Sequence, residues 1–131
     1  MQTIDEALGK LSRSAFRSRF RLDAGDVSYI DRKGLDTVRR HAEDFVRKNL
    51  APAEPDNDGH QTPMKGHPVF KAQHACACCC RGCREKWYRI PKGRELTQSQ
   101  QTKIVNLLMA WIERQYAAEC GKDKDIKNPR D

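Results

Sequence analysis

Apolar residues in this 131-residue chain recur at spacings of three and four, and no run of five or more alternates apolar with polar and is enriched in β-branched residues. That pattern restricts the chain to helices, with strands short at most. Ile4, Leu8, Leu11 and Ala15 mark a helical stretch within residues 4–22. After the break at Asp23-Ala24-Gly25, Asp26 can cap a short helix through Val27, Tyr29 and Ile30, and Gly34 ends it. Leu35, Val38, Ala42, Phe45, Val46 and Leu50 fall on one face of a helix that Pro52 stops. Thr97 and Gln100 form a capping-box pattern ahead of Ile104, Leu107, Leu108, Trp111, Ile112 and Tyr116, with Gly121 closing that helix. The expected fold is mainly α, a small single domain of about four helices with an irregular Cys/His metal-binding middle segment. Its bounds are residues 1–120, with the zinc-binding segment at 60–90 and a charged, frayed tail at 121–131.

The stretch 51–68 is rich in Pro, Gly, Asn and Asp; Pro63, Gly66 and Pro68 exclude a long helix there. It carries His60, Gln61, Thr62, Lys65 and His67, so a functional loop is expected, with the role of His60 open. Five of the six cysteines follow within eight residues: Cys76, Cys78, Cys79, Cys80 and Cys83. Cysteines this close make poor disulfide partners. Residues 1–10 lack the apolar core of an export signal, so a reducing cytoplasm is the expected compartment. There the cluster reads as metal ligands or reactive thiols. Cys120 stands apart as a small hydrophobe.

From His67 to Cys83 the spacing is H-x6-H-x-C-x-C-C-C-x2-C. Zinc takes four N or S ligands tetrahedrally, and Cys80-Arg81-Gly82-Cys83 is one chelating pair. The expected ligands are His67, His74, Cys80 and Cys83, with Cys79 as the substitute. Both histidines are expected outside the helices and free to converge. Adjacent side chains diverge, which argues against Cys79 and Cys80 sharing an ion. Four protein ligands make the zinc structural; with one position open, Asp56, Asp58 or Glu85 could serve as a general base. No P-loop, GxGxxG, HExxH, GxSxG or zinc-deaminase signature is present.

The net charge of +7 is unevenly placed. Lys10, Arg13, Arg17, Arg19 and Arg21 run without an intervening acid, and Arg81, Arg84, Lys86, Arg89, Lys92 and Arg94 oppose the single Glu85. The second run is the candidate nucleic-acid or anion-binding segment. Phe16, Phe20, Trp87 and Tyr88 lie inside the basic stretches and could stack bases or fill the core. With 37% hydrophobic and 33% charged residues, and no apolar run of the ~18–20 residues a membrane span needs, a membrane protein is excluded. So are a collagen and a disulfide-stapled secreted miniprotein.

Gln61-Thr62-Pro63-Met64-Lys65-Gly66-His67-Pro68-Val69-Phe70, Gln73-His74-Ala75, Cys79-Cys80-Arg81-Gly82-Cys83, Lys86-Trp87 and Ile90-Pro91-Lys92-Gly93 together resemble DUF4186, a bacterial and phage family of unknown function. The resemblance extends from about Phe16 through the helix of Trp111. The family pattern has threonine or another small residue at Cys76 and Cys78, and histidine at Tyr88. This weakens any family-wide metal role for those two cysteines. The resemblance implies a small intracellular protein and no established activity.

The leading expectation is a zinc-stabilised basic module that binds nucleic acid. The alternatives are a small metal-dependent enzyme acting on a phosphate-bearing substrate, and a phage or mobile-element protein. The last would bind and block an acidic or nucleic-acid-binding partner protein.

Overall fold

A computed structural model describes residues 3–52, 66–79, 83, 87, 88 and 95–127, with side chains through residue 119. Among them are five α-helices, a 3-10 turn and a π turn, and no strand. The helices are α1 (Ile4–Ser12), α2 (Ala24–Lys33), α3 (Leu35–Phe45), α4 (Pro68–Ala75) and α5 (Gln98–Lys127).

The first helical stretch is shorter than its periodicity suggests. A Thr3/Glu6 capping box opens α1, and its Ala7, Leu8 and Leu11 are buried. Ser12 Oγ turns back to the Gly9 carbonyl at 2.7 Å and the helix ends there. Serine hydroxyls compete with the helical ladder in this way. Ser14 Oγ then accepts from the Arg17 N–H at 3.2 Å, which starts the 3-10 turn Arg17–Arg19.

Asp23, not Asp26, caps α2. Asp23 Oδ1 accepts from Asp26 N–H at 2.9 Å, and Asp26 Oδ2 accepts from Asp23 N–H at 3.0 Å. Asp26 therefore closes a capping box from the third helical position. Gly34 joins α2 to α3 as expected, at φ 86°, where a side chain strains the backbone. Gly34→Ala is expected to cost about 1 kcal/mol, read by urea unfolding, although open space surrounds the position. An unchanged midpoint would show that the turn relaxes.

The α3 stripe is buried as predicted: Val38, Ala42, Val46 and Leu50 are each 0% exposed. Its last turn widens to π geometry over Val46–Leu50, with Ala51 N–H reaching the Val46 carbonyl at 2.8 Å. Leu96 N–H returns to the Ala51 carbonyl at 2.8 Å, bringing the start of α5 beside the end of α3.

α4 overturns one expectation. Pro68 does not merely interrupt; it occupies the first helical position, where its missing N–H costs nothing. His74 lies in the last turn, inside the helix, whereas His67 stays outside it as expected, as the extended N-cap.

Thr97 and Gln100 cap α5 reciprocally at 3.0 Å each. Ile104, Val105, Leu107, Leu108, Met109 and Ile112 bury its inner face against α3 and α4, with α1 alongside. Gly121 does not end it; the helix continues to Lys127. No helix among the described residues is long and apolar enough to cross a membrane.

Candidate functional site

Arg17 is buried, which its place in a run of exposed cations did not suggest. Nη1 donates to the His74 carbonyl at 2.6 Å and approaches Cys79 Sγ at 3.6 Å. Nη2 donates to Cys83 Sγ at 3.2 Å, and the two sulfurs lie 3.5 Å apart. The His74 carbonyl belongs to the last turn of α4, where the helix dipole favours a cation. Burial works against the charge of Arg17, yet the hydrogen bonds to Cys79 and Cys83 outweigh it and raise its pKa. One guanidinium thus joins the N-terminal turn, the end of α4 and two thiols. Phe20 stacks on the His74 ring at 5.3 Å and 14°, and Phe16 meets Phe20 edge-on. A cleft of about 240 Å³ opens beside Arg17, lined also by Leu8, Leu11, Phe20, Trp111 and Arg114.

Cys76 and Cys78 are different. Both are 0% exposed, and Cys78 Sγ donates to the Cys76 carbonyl at 3.4 Å. Burial pushes the Cys76 thiol well above its usual range. The Tyr88 hydroxyl bonds the same carbonyl, and burial raises its pKa too. These are packing groups. Ala77, at φ 58°, turns the chain between them, and Gln73 fastens it through Nε2 to the Cys78 carbonyl at 3.3 Å.

His67 faces another set of partners. Its Nδ1 accepts from Val69 N–H at 3.0 Å, so the neutral ring carries its proton on Nε2. Nε2–H then donates to His41 Nδ1 at 3.0 Å, and the Tyr29 hydroxyl lies 3.1 Å from that same nitrogen. Phe45 and Phe70 pack around the His67 ring. Burial, then the neighbouring His41 charge, hold the His67 pKa down at about 4. Beside this group, Lys71 Nζ bridges Asp26 at 2.6 Å and Asp23 at 2.8 Å. The Lys71 hydrogen bond, then the Asp26 N–H, hold the Asp23 carboxyl at about 2.

The His67 pKa has a measurable consequence. The unfolded chain takes up the proton near pH 6.5, the folded chain only near 4. The contribution is complete above about pH 6.5 and is lost as the pH falls towards 4. Discounted for a partly exposed ring, it amounts to about 1–2 kcal/mol. His67→Asn keeps a cap but cannot titrate. Relative to that variant, the natural chain is expected to lose this amount between pH 7 and 4.5 in urea unfolding. Parallel curves would show that His67 does not couple to folding.

Of the predicted ligands, the structure brings Cys83 together with the substitute, Cys79. Cys80 lies outside the described residues, as do Arg81, Arg84, Lys86, Arg89, Lys92, Arg94 and the loop with His60. Two sulfurs 3.5 Å apart are close to the ~3.8 Å edge between thiolates on a tetrahedral zinc. His67 suits such an ion poorly. Binding through Nε2 would move the proton to Nδ1 and set it against the Val69 N–H. Among the described residues no three His, Cys, Asp or Glu side chains gather as a metal-holding group.

Sequence reasoning missed Arg17, Tyr29 and His41. Arg17 carried no local signal, because a charge in a basic run points outward by default. His41 did carry one: it falls at helical spacing among Val38, Ala42 and Phe45 on the buried stripe of α3.

The geometry defines an all-helical protein, among its described residues, whose N-terminal turn is bolted to a cysteine-rich segment by a buried guanidinium. Residues 5–113 match the model of the domain of unknown function DUF4186, and the chain belongs to that family. No solved structure matches it.

Proposed function

We propose that this chain is a small basic nucleic-acid-binding module whose described binding surface is the segment Lys10–Arg21. The observation that carries this reading is Phe16. It is 44% exposed, with the Arg19 guanidinium 5.1 Å from its ring centroid and that of Arg17 at 4.9 Å. Lys10, Arg13, Arg19 and Arg21 are exposed along the same segment, and no acid interrupts the run. An exposed aromatic ring held among guanidiniums suits base stacking next to bound phosphates, with the mobile Arg19 head group giving way to a base. Arg17 stays fixed beside the ring, because its head group is committed to the His74 carbonyl and the thiols. Trp87 and Tyr88 pack against the core, which leaves stacking to Phe16. The run Arg81, Arg84, Lys86, Arg89, Lys92 and Arg94 belongs to the same proposal by its charge alone.

The test is fluorescence anisotropy with a labelled single-stranded oligonucleotide across a salt series. Stacking is worth about 1–3 kcal/mol per base, so Phe16→Ala should weaken binding severalfold or more and leave the salt slope unchanged. Arg13→Glu with Arg19→Glu should flatten the slope by about 0.7 for each phosphate that the variant no longer neutralises. No binding by the natural chain at low salt would remove this reading and favour an acidic protein partner.

A further inference from the structure

We propose that Cys79 and Cys83 form a redox-active dithiol that a hydroperoxide oxidises to an intramolecular disulfide, with Arg17 positioning the two sulfurs. Both residues, like Cys76 and Cys78, are thiols in this structure. What separates the two pairs is their surroundings. Cys76 and Cys78 are 0% exposed, whereas Cys83 is partly open to solvent and Cys79 is 8% exposed. The sulfurs are already 3.5 Å apart, and one guanidinium donates towards both, at 3.2 and 3.6 Å. One side chain therefore holds both sulfurs within reach of each other. A second sulfur close by favours disulfide closure over further oxidation. The guanidinium cannot drift, because Nη1 is anchored to the His74 carbonyl at 2.6 Å.

Oxidation begins when the Cys83 sulfur, as thiolate, attacks the terminal peroxide oxygen; an S–O bond forms, the O–O bond breaks, and the alcohol or water leaves after taking a proton. Cys79 sulfur then displaces oxygen from the sulfenic acid; the S–S bond forms, the S–O bond breaks, and water leaves with the Cys79 proton. Two thiols and one hydroperoxide yield one disulfide, one alcohol and one water. The short loop that makes this pair a poor structural disulfide also strains the bridge, so a small dithiol reverses it readily by exchange. Arg17 touches no reacting oxygen in this scheme. It is a positioning residue.

The experiment treats the reduced full-length chain with one equivalent of hydrogen peroxide, alkylates the remaining thiols and maps the peptides by mass spectrometry. The expected product is a Cys79–Cys83 disulfide, two hydrogens lighter, reversed by dithiothreitol, with Cys76 and Cys78 still thiols. In Arg17→Met the oxidation rate should fall about tenfold, and Arg17→Lys should restore part of it. A bridge from Cys80, sulfinic acid at Cys83 without a bridge, or unreacted thiols would overturn the proposal. So would stoichiometric zinc in chain purified without added metal that shields both sulfurs from alkylation.

Discussion

Arg17→Met is expected to destabilise the fold by about 2–3 kcal/mol, whereas Arg13→Met should stay within about 0.5 kcal/mol. The methionine keeps most of the buried apolar stem, so the loss falls on the head group. Removing it strips a hydrogen bond from the last turn of α4 and leaves the Cys79 and Cys83 sulfurs without their guanidinium. A buried group deprived of its charged partner costs more than the intact pair contributes. Arg13 is exposed, so its charge is already solvated. Urea unfolding of the two variants side by side is the measurement. Equal midpoints would mean that the N-terminal turn is held by Leu8, Leu11 and the Phe16–Phe20 pair, and not by the junction.

Leu108→Ala should cost about 3–5 kcal/mol and lower the melting temperature by about 10–15 °C. Leu108 is 0% exposed on the inner face of α5, the helix against which α3 and α4 both pack. Its removal leaves a cavity between three helices whose backbones cannot all close in, so the cavity penalty adds to the lost transfer energy. Ile4→Ala makes the comparison. Ile4 is 38% exposed on α1 and should cost about 1 kcal/mol or less. A loss below 1 kcal/mol at Leu108 would show that α5 is not the structural centre.

Where a signal was local, it could be read directly. The α3 stripe was legible because Val38, Ala42, Val46 and Leu50 repeat with the helical period and bury together. The start of α5 was legible because a Thr97 hydroxyl and a Gln100 side chain three residues on satisfy each other's backbone. Gly34 was legible because a turn at positive φ selects glycine. Two local signals misled. Asp23 and Asp26 are both capable caps, and three residues apart they form a reciprocal box in which the first, in extended backbone, takes the cap position. Pro68 reads as a breaker or as a helix start according to whether a residue before it can cap, and His67 does so through a ring nitrogen.

By itself, then, the sequence determined a mainly helical chain, the stripes of α3 and α5, the N-terminal cap of α5, the Gly34 turn, and a cysteine-rich segment at 76–83. All of these arise from neighbours within one or two helical turns, whose spacing is the information. Tertiary structure alone decided that Arg17 is buried, that Cys79 meets Cys83 beneath its guanidinium, and that His67 turns to His41 and Tyr29. Those interactions join residues 26 to 66 positions apart, apart from the Cys79–Cys83 and Tyr29–His41 pairs. Their partners are chosen by how the 3-10 turn docks on α4, and by how α4 docks on α3. A charge or an imidazole has no preferred side until the packed helices supply its acceptors and withdraw its water.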